Sequence, residues 1–349
     1  MLQRHRLAIV LTVICCLGVA AARSPAMARA AYAVVARFAV GGAGGWDYLA
    51  VDASGNRLFV TRANRVDVIS TQSGAVIGHI ADTAGVHGVA LAPDIGRGYT
   101  SNGADASVSA FDLETLRVLQ VAKVTGTNPD AIVYEPTGHH VLTFNGGSAN
   151  ATVLDAATLE VVKTIPLPDK PEFAVVDGTG HVFVNIQSAQ GQIAVIDARS
   201  LALIATWPLP GCARPTGLAL DRAHQRLFSV CDAKVMAVTD ASTGGHVADI
   251  AIGEHPDAAA FDPGLALVFS SNGEGTVTVV QELDADHYRV AATLPTQKSA
   301  RTLALDPLSH RIYLVAAEFG PAPPATAAVP RPRPVVLPES FQVLVAAPR

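Results

Sequence analysis

A repeat of 40 to 44 residues runs through the chain and limits the folds that it can adopt. The residue that ends an apolar run recurs at this spacing as Asp52, Ala92, Glu135, Asp177, Asp221, Asp262 and Asp306. Each marker is followed by a short strand, a turn and a second strand, most clearly in residues 261–283. Short strands repeating at this spacing are typical of β-propeller blades. We therefore predict an all-β, seven-bladed β-propeller with four-stranded blades.

The two ends of the repeat array predict how the propeller closes. Residues 34–40 resemble the outermost strand of the other repeats but have no hairpin of their own. The seventh repeat, from Arg301, supplies only three strands. We expect residues 34–40 to complete the last blade, because this closes the ring and removes two open sheet edges. Residues 31–349 are then a single seven-bladed domain.

Residues 1–30 have the pattern of an export signal. Positive charge within residues 1–6 precedes an apolar run over residues 7–21, and Ala28-Arg29-Ala30 offers a cleavage site. The run is short for a membrane span. We predict a cleaved signal peptide over residues 1–30, a periplasmic or secreted protein, and no membrane span after cleavage.

The charge balance argues against binding to nucleic acid. The first thirty residues hold four arginines and no acidic residue, so the rest of the chain has nine more acidic than basic residues. Proteins that bind nucleic acid normally present a basic surface. We expect a protein or small-molecule partner instead, and a monomer, because a closed ring has no open edge.

Two cysteines, Cys212 and Cys231, lie outside the predicted signal peptide. Cysteines of exported proteins meet oxidising conditions and pair by default. In a blade of strands a to d, the d–a and b–c connections share one face. Cys212 precedes the fifth repeat and Cys231 follows its second strand, so a disulfide is within reach. Metal ligation is the alternative, but a second pair of ligands at the usual spacing is missing.

Residues 318–340 interrupt the last repeat with seven prolines. This composition disfavours helix and sheet and predicts an extended loop between strands b and c of the last blade. The loop is expected on the same face as the cysteines. One interpretation is a plain surface loop. The other is a loop that covers the channel mouth as a lid or serves there for docking.

The positions five residues before the markers are mostly ionisable. They lie where strand a begins beside the central channel, and they hold Asp47, His87, Asp130, Glu172, Thr216, Asp257 and Arg301. Further polar side chains reach the same face from the b–c turns: Asn102, Asn145, Asn272 and Glu274. Trp46 flanks the set. We predict a ligand-binding site at the channel mouth that is made of these residues.

Two interpretations of the acidic residues remain open. An Asp that follows a Pro at a strand entry, such as Asp130 or Asp257, often caps the turn by accepting backbone amides. Carboxylates that converge with a His and an Arg would instead form a pocket in which their pKa values shift. No cofactor is predicted, although Asp47, Asp130, Glu172 and Asp257 could ligate Ca²⁺ or another divalent cation.

Two kinds of segment carry a family resemblance. Tyr99-Thr100-Ser101-Asn102 and, more loosely, Phe269-Ser270-Ser271-Asn272 match the repeat element, and the strand entries at residues 128–131 and 255–258 also fit. On these residues the chain resembles the YVTN-repeat β-propellers, and within them the exported YncE-like group. The resemblance implies a WD40-like fold and a binding or scaffold protein on the export side. Some YncE-like proteins associate with DNA, which the acidic balance opposes here.

Two functions therefore compete. We expect an exported, non-catalytic propeller that binds a ligand or protein partner on its d–a/b–c loop face at the channel mouth. The alternative is a lactonase-like, metal-assisted hydrolase at the same mouth, by analogy with related propellers whose channel-facing Glu, Asn and Asp hold a metal. Familiar catalytic strings such as HExxH and GxSxG do not occur in the sequence.

Overall fold

The computed structural model describes residues 32–326, 332 and 334–349, which form seven four-stranded antiparallel sheets. The predicted signal peptide lies outside the described residues. The chain enters the structure through β1 (Tyr32–Ala39). Blades 1 to 3 then contain β2 (Trp46–Asp52), β3 (Arg57–Arg62), β4 (Arg65–Ser70), β5 (Val76–Ile80), β6 (Val86–Ala92), β7 (Arg97–Asn102), β8 (Ser107–Asp112), β9 (Val118–Lys123), β10 (Pro129–Glu135), β11 (His140–Asn145), β12 (Asn150–Asp155) and β13 (Val161–Pro166).

Blades 4 to 6 repeat the same order of four strands. They contain β14 (Pro171–Val176), β15 (His181–Ile186), β16 (Gln192–Asp197), β17 (Ala202–Pro208), β18 (Pro215–Asp221), β19 (Arg226–Cys231), β20 (Val235–Asp240), β21 (His246–Ala251), β22 (Pro256–Asp262), β23 (Leu267–Asn272), β24 (Thr276–Asp284) and β25 (His287–Pro295). Blade 7 consists of β26 (Leu303–Asp306), β27 (Arg311–Ala316), β28 (Gln342–Pro348) and β1. The only helical segments among the described residues are two 3₁₀ turns, Pro93–Ile95 and Pro338–Ser340.

The second and third strands of each blade carry the core. Along β3 the side chains of Leu58, Phe59 and Val60 are fully buried, whereas β9 is exposed along most of its length. The polar turns that join the third and fourth strands of blades 2 to 5 are capped by aspartates. Asp112 Oδ1, for example, accepts hydrogen bonds from Thr115 N and Oγ1 at 2.7 and 2.8 Å. These caps satisfy backbone amides that the ladders leave unpaired.

The predicted closure of the ring is confirmed. Strand β1 pairs antiparallel with β28, from Tyr32 opposite Pro348 to Ala39 opposite Gln342, with one bulge near Val34. The Tyr32 hydroxyl donates to the His310 carbonyl oxygen at 2.6 Å. The amino-terminal strand is therefore the outermost strand of blade 7, and the fold is the predicted seven-bladed propeller of four-stranded blades.

The predicted disulfide is also confirmed. Cys212 and Cys231 are bonded, with their Cα atoms 5.3 Å apart, and both residues are fully buried. The bond connects the d–a link that enters blade 5 to the end of the second strand of the same blade. It therefore fixes the loop face of this blade covalently.

The proline-rich loop lies between β27 and β28. Its described part is extended, but its base forms a small antiparallel bridge that the sequence did not predict. Phe319 pairs with Val336, and Gly320 N donates to Val335 O at 2.8 Å. Pairing is allowed here because none of these bridge positions is a proline.

The residues that the structure describes include no helix long and apolar enough to cross a membrane.

Candidate functional site

The strand entries are bulged at the positions that face the channel. In blades 1 to 6 the pairing of the first two strands shifts register near the first residues, for example between Pro129 and Ile132. Such a bulge re-aims the side chains within it. The residues at these shifts, with their equivalent in blade 7, are called the mouth residues below: Asp47, His87, Asp130, Glu172, Thr216, Asp257 and Arg301.

A left-handed residue precedes most mouth residues by two positions. The φ values lie between 51° and 82° at Gly85, Asn128, Arg214, His255 and Ser299. For residues other than Gly this conformation costs about 1–3 kcal/mol and is retained where surrounding structure enforces it. The backbone strain thus recurs at the entry to the channel, where it directs the following side chain inward.

Two carboxylates converge on one imidazole at the mouth. His87 Nδ1 lies 2.6 Å from Asp47 Oδ2 and 3.8 Å from Asp130 Oδ1. The side chain of Asn128 hydrogen-bonds the same imidazole. Asp130 is only 8% exposed, and its Oδ1 accepts no hydrogen bond from the described residues. The cluster therefore contains a buried carboxylate oxygen that a positively charged group could contact.

The other mouth carboxylates have cationic partners. Arg301 Nη1 contacts Asp257 directly, and Arg301 Nη2 lies 3.6 Å from Asp47 Oδ1. Lys170 Nζ lies 2.7 Å from Glu172 Oε2. Lys170 also donates to a neighbouring amide oxygen. Arg301 thus faces both Asp257 and Asp47, and among the described residues Asp130 is the mouth carboxylate that has no arginine or lysine in an ion pair with it.

The four candidate metal ligands of the sequence therefore divide into two groups. Asp47 and Asp130 come together with His87, whereas Glu172 and Asp257 are each held by a cation. Within the described ranges no backbone amide donates to any of these four carboxylates. This favours the converging pocket over turn capping.

Tyr48, next to Asp47 in the sequence, is a further residue that lies beside the mouth carboxylates. It is 7% exposed, and its ring meets the Phe173 ring edge-on with centroids 5.1 Å apart. Burial raises the pKa of Tyr48 well above its ordinary value, and the surrounding carboxylates, Asp130 foremost, add to the effect. Its phenol is thus a neutral donor among the carboxylates.

Burial and mutual charge shift the titration of the cluster. Burial raises the pKa of Asp130 to about 7, and repulsion by Asp47 adds to this while His87 opposes it. For His87, burial alone would lower the pKa, but the hydrogen bond to Asp47 and the charges of Asp130 and Asp47 raise it overall. Both groups therefore hold a proton more tightly in the folded protein than in the unfolded chain.

We expect the folded protein to lose stability as the pH rises from about 4 to about 7. In this window folded Asp130 keeps a proton that the unfolded chain has released, so each rise in pH favours unfolding. His87 acts in the same direction, because its contribution is lost as the pH rises through its raised pKa. One pKa unit corresponds to about 1.4 kcal/mol. Burial also raises the pKa of Asp257 to about 7, so Asp257 adds to the slope in the same window. Urea unfolding from pH 4 to 8 should show this slope, and Asp130→Asn should reduce it. An equal slope in the variant would contradict the assignment.

The predicted asparagines are used within their own blades. Asn102, Asn145 and Asn272 end the second strands of blades 2, 3 and 6 and are fully buried or nearly so. Asn102 Nδ2, for instance, donates to Ser107 and Ser109 Oγ at 3.0 and 2.9 Å. Equivalent bonds hold the other two turns. These amides therefore shape the b–c turns, and Glu274 likewise accepts from Thr276 in its own turn.

The same strand-end position has a different use in blade 1. It holds Arg62, whose side chain is fully buried with its guanidinium 3.6 Å from the centroid of the Phe341 ring. Arg62 donates to the carbonyl oxygens of Gly42 and Ala43 at 3.1 and 2.9 Å, and it lies 3.5 Å from Asp67. This residue connects blade 1 to the link that follows the closing strand.

An apolar cavity of about 740 Å³ borders the mouth. Its lining includes Trp46, Phe319, Val335, Leu337 and, at the side of the channel, Arg301. Trp46 Nε1 is buried without a hydrogen-bond partner among the described residues. Another cavity, of about 650 Å³, lies between blades 4 and 5 and contains no mouth residue. The cavity beside Arg301 is therefore the one that a ligand at the mouth could also occupy.

Comparison with known proteins shows the fold but no family. No protein-family model matches the chain, and no curated protein matches its sequence. Hydrazine synthase from Kuenenia stuttgartiensis has a similar structure, with a TM-score of 0.69 and 18% identity over 78% of this chain and 92% of that chain. A chain of the mitotic checkpoint complex gives a TM-score of 0.73 and 15% identity over 99% of both. At these identities the two similarities support the seven-bladed propeller fold alone.

Proposed function

We propose that this protein is an exported, non-catalytic binding protein, as its resemblance to YVTN-repeat propellers implies. Its channel mouth binds a ligand that has a positively charged end beside an apolar group. The buried disulfide is consistent with an oxidising compartment, since disulfides persist in exported proteins. The excess of acidic residues agrees with a partner other than nucleic acid.

The unpartnered Asp130 Oδ1 carries this proposal. A buried carboxylate oxygen without a donor is costly, and a cationic donor would remove the cost. Asp47 contacts the same Nδ1 atom of His87, and its carboxylate lies within 4.8 Å of the Asp130 carboxylate, so both carboxylates can face one cation. Hydrogen bonds between charged partners are worth about 1.5–3 kcal/mol. Selectivity for cations follows from this charge arrangement.

The apolar cavity supports the second part of the proposal. Arg301 contacts the carboxylates of the mouth and also lines the cavity, so the two sites adjoin. Trp46 and Phe319 present aromatic surface there, with ring centroids 5.9 Å apart. Binding pockets typically combine apolar walls with a few placed polar groups. An amine attached to an aromatic or aliphatic group fits this combination.

The test compares three probes of similar shape: phenethylamine, phenethyl alcohol and hydrocinnamate. Calorimetric titration should show binding of the amine, weaker binding of the alcohol and none of the acid. Asp130→Asn should weaken amine binding by about tenfold or more, which is about 1.4 kcal/mol. Trp46→Ala should weaken both the amine and the alcohol, because it removes apolar surface.

Glu160→Gln, which removes one exposed negative charge elsewhere, is the matched control and should leave binding unchanged. If the acid binds as well as the amine, or if Asp130→Asn and Glu160→Gln behave alike, the proposal is wrong. Raising the pH from 5 to 8 should strengthen amine binding, since the Asp130 proton must leave.

A metal-assisted hydrolase at the same mouth is the second candidate. One ligand atom from each of Asp47, His87 and Asp130 lies within 4.8 Å of the other two. One imidazole and two carboxylates can hold a divalent cation and leave a position open for water. If this function is the correct one, the purified protein retains a divalent metal. It then hydrolyses a lactone or ester, and both chelator and His87→Ala abolish the activity. A metal-free protein that binds the amine probe excludes this candidate.

A further inference from the structure

The outer hairpin of blade 6 is longer than those of the preceding blades. Strands β24 and β25 have nine residues each, whereas the third strands of blades 1 to 5 have six. The extension reaches the a–b turn of blade 5. Arg226 Nε donates to Ala285 O at 2.9 Å, and the Phe228 and Tyr288 rings meet edge-on with centroids 5.7 Å apart. The hairpin therefore forms an additional contact between the two blades, on the face opposite the channel mouth.

Three potential ligand side chains meet at this contact. His224 Nδ1 lies 2.8 Å from Asp221 Oδ2 and 3.4 Å from Glu282 Oε1. One ligand atom from each of the three lies within 4.8 Å of the others. Asp221 is held in place because its carboxylate accepts from Ala223 N and His224 N at 2.9 and 3.2 Å. The geometry is thus fixed from the blade 5 side.

The charge of this cluster is not balanced by the nearby arginine. Asp221 and Glu282 are only 2% and 4% exposed, and Glu282 Oε2 is buried without a hydrogen-bond partner among the described residues. Arg226 directs its guanidinium to Asp240 and Asp286 instead. Two buried carboxylates so close together are unfavourable unless a positive charge lies between them.

We propose that Asp221, His224 and Glu282 form a divalent-metal site that connects blades 5 and 6. One imidazole and two carboxylates suit a first-row cation such as Zn²⁺. The imidazole side chain of His224 is 49% exposed and provides the route of entry, whereas the carboxylates are enclosed. The metal would join the a–b turn of blade 5 to the extended hairpin of blade 6, so its role is structural. This site is independent of the channel mouth and of the function proposed for it.

The test is a calorimetric titration with Zn²⁺ in a His87→Ala background, which removes the mouth cluster. This protein should bind one equivalent of Zn²⁺ and show a higher unfolding temperature when it is loaded. Adding His224→Ala or Glu282→Gln should weaken Zn²⁺ binding by tenfold or more and abolish the thermal shift. The matched control is His181→Ala, because His181 also lies 2.8 Å from a turn aspartate, Asp177, but has no third ligand within the part of the chain that the structure describes.

Three results would overturn the proposal. The first is that the His87→Ala protein binds no Zn²⁺. The second is that His224→Ala binds as tightly as the His181→Ala control. The third is that Zn²⁺ does not change the unfolding temperature of the His87→Ala protein, whereas Glu282→Gln raises it. In that case a proton shared between the carboxylates, and not a metal, would offset their charge. Because the His224 side chain is half exposed, His224→Ala decides the question even if Glu282→Gln does not fold.

Discussion

Replacement of Arg62 by methionine is expected to lower the free energy of unfolding by about 3–5 kcal/mol, the usual cost of breaking a buried ionic contact. Methionine fills much of the same space but donates no hydrogen bond. The carbonyl oxygens of Gly41, Gly42 and Ala43 then lose the donor that they share. Burial lowers the pKa of Arg62 only to about 10, so a full charge is lost at neutral pH.

The effect should be concentrated at the closure of the ring. Arg62 lies over the Phe341 ring, and the Phe341 carbonyl accepts from Val40 N and Gly41 N at 3.1 and 2.9 Å. Hydrogen exchange in β1 and β28 should therefore accelerate more than in blades 3 to 5. Urea unfolding gives the stability, and Arg117→Met, at an exposed arginine, is the control. A loss below about 1 kcal/mol, within the range of surface substitutions, would contradict this account.

In the double variant Cys212→Ala/Cys231→Ala the free energy of unfolding is expected to decrease by about 3 kcal/mol. The bond spans 19 residues, and closing a loop of this size restricts the unfolded chain by roughly that amount. Alanine is preferred to serine because both positions are fully buried and a hydroxyl would need a partner. The native fold should persist, since the ladder between β18 and β19 does not depend on the bond.

Unfolding with and without a reducing agent separates the bond from the side chains. Reduction should destabilise the original protein by about as much as the double variant, and it should not affect the variant. If the reduced protein is as stable as the oxidised one, the bond does not restrict the unfolded chain as proposed. Hydrogen exchange should report faster opening of the link before β18 in both weakened forms.

The repeat in the sequence was sufficient to predict the number of blades and their closure. A spacing of 40 to 44 residues determines how many hairpins the chain contains. Residues 34–40 have no hairpin of their own, and the open edge of the last blade was the place left for them. The same register placed His87 and Asp130 at equivalent positions of neighbouring blades. Their convergence followed, because equivalent positions of a propeller meet at its axis.

The partners within the site could not be predicted in the same way. Lys170 reaches Glu172 from two residues earlier, and Asn128 reaches His87 from the next blade, so neither lies at a mouth position. Asn102 of the YVTN-like element was predicted to contact a ligand, but its amide nitrogen donates to two hydroxyls of the following strand. These local hydrogen bonds and ion pairs decide which polar side chains remain available to a ligand. A single sequence does not reveal them.

The closing strand also determines when the molecule can become complete. Strand β1 precedes every other described strand, yet its partner β28 follows more than 300 residues later. Blades 1 to 6 are each built from neighbouring segments of the chain, whereas blade 7 is complete only when β1 and β28 meet. Until then β1 and the first blade have nothing to close against, and exposed strand edges invite pairing with other chains. Ring closure therefore depends on the pairing of greatest sequence separation among the described strands, and such pairings form late because the loop-closure entropy must be lost first.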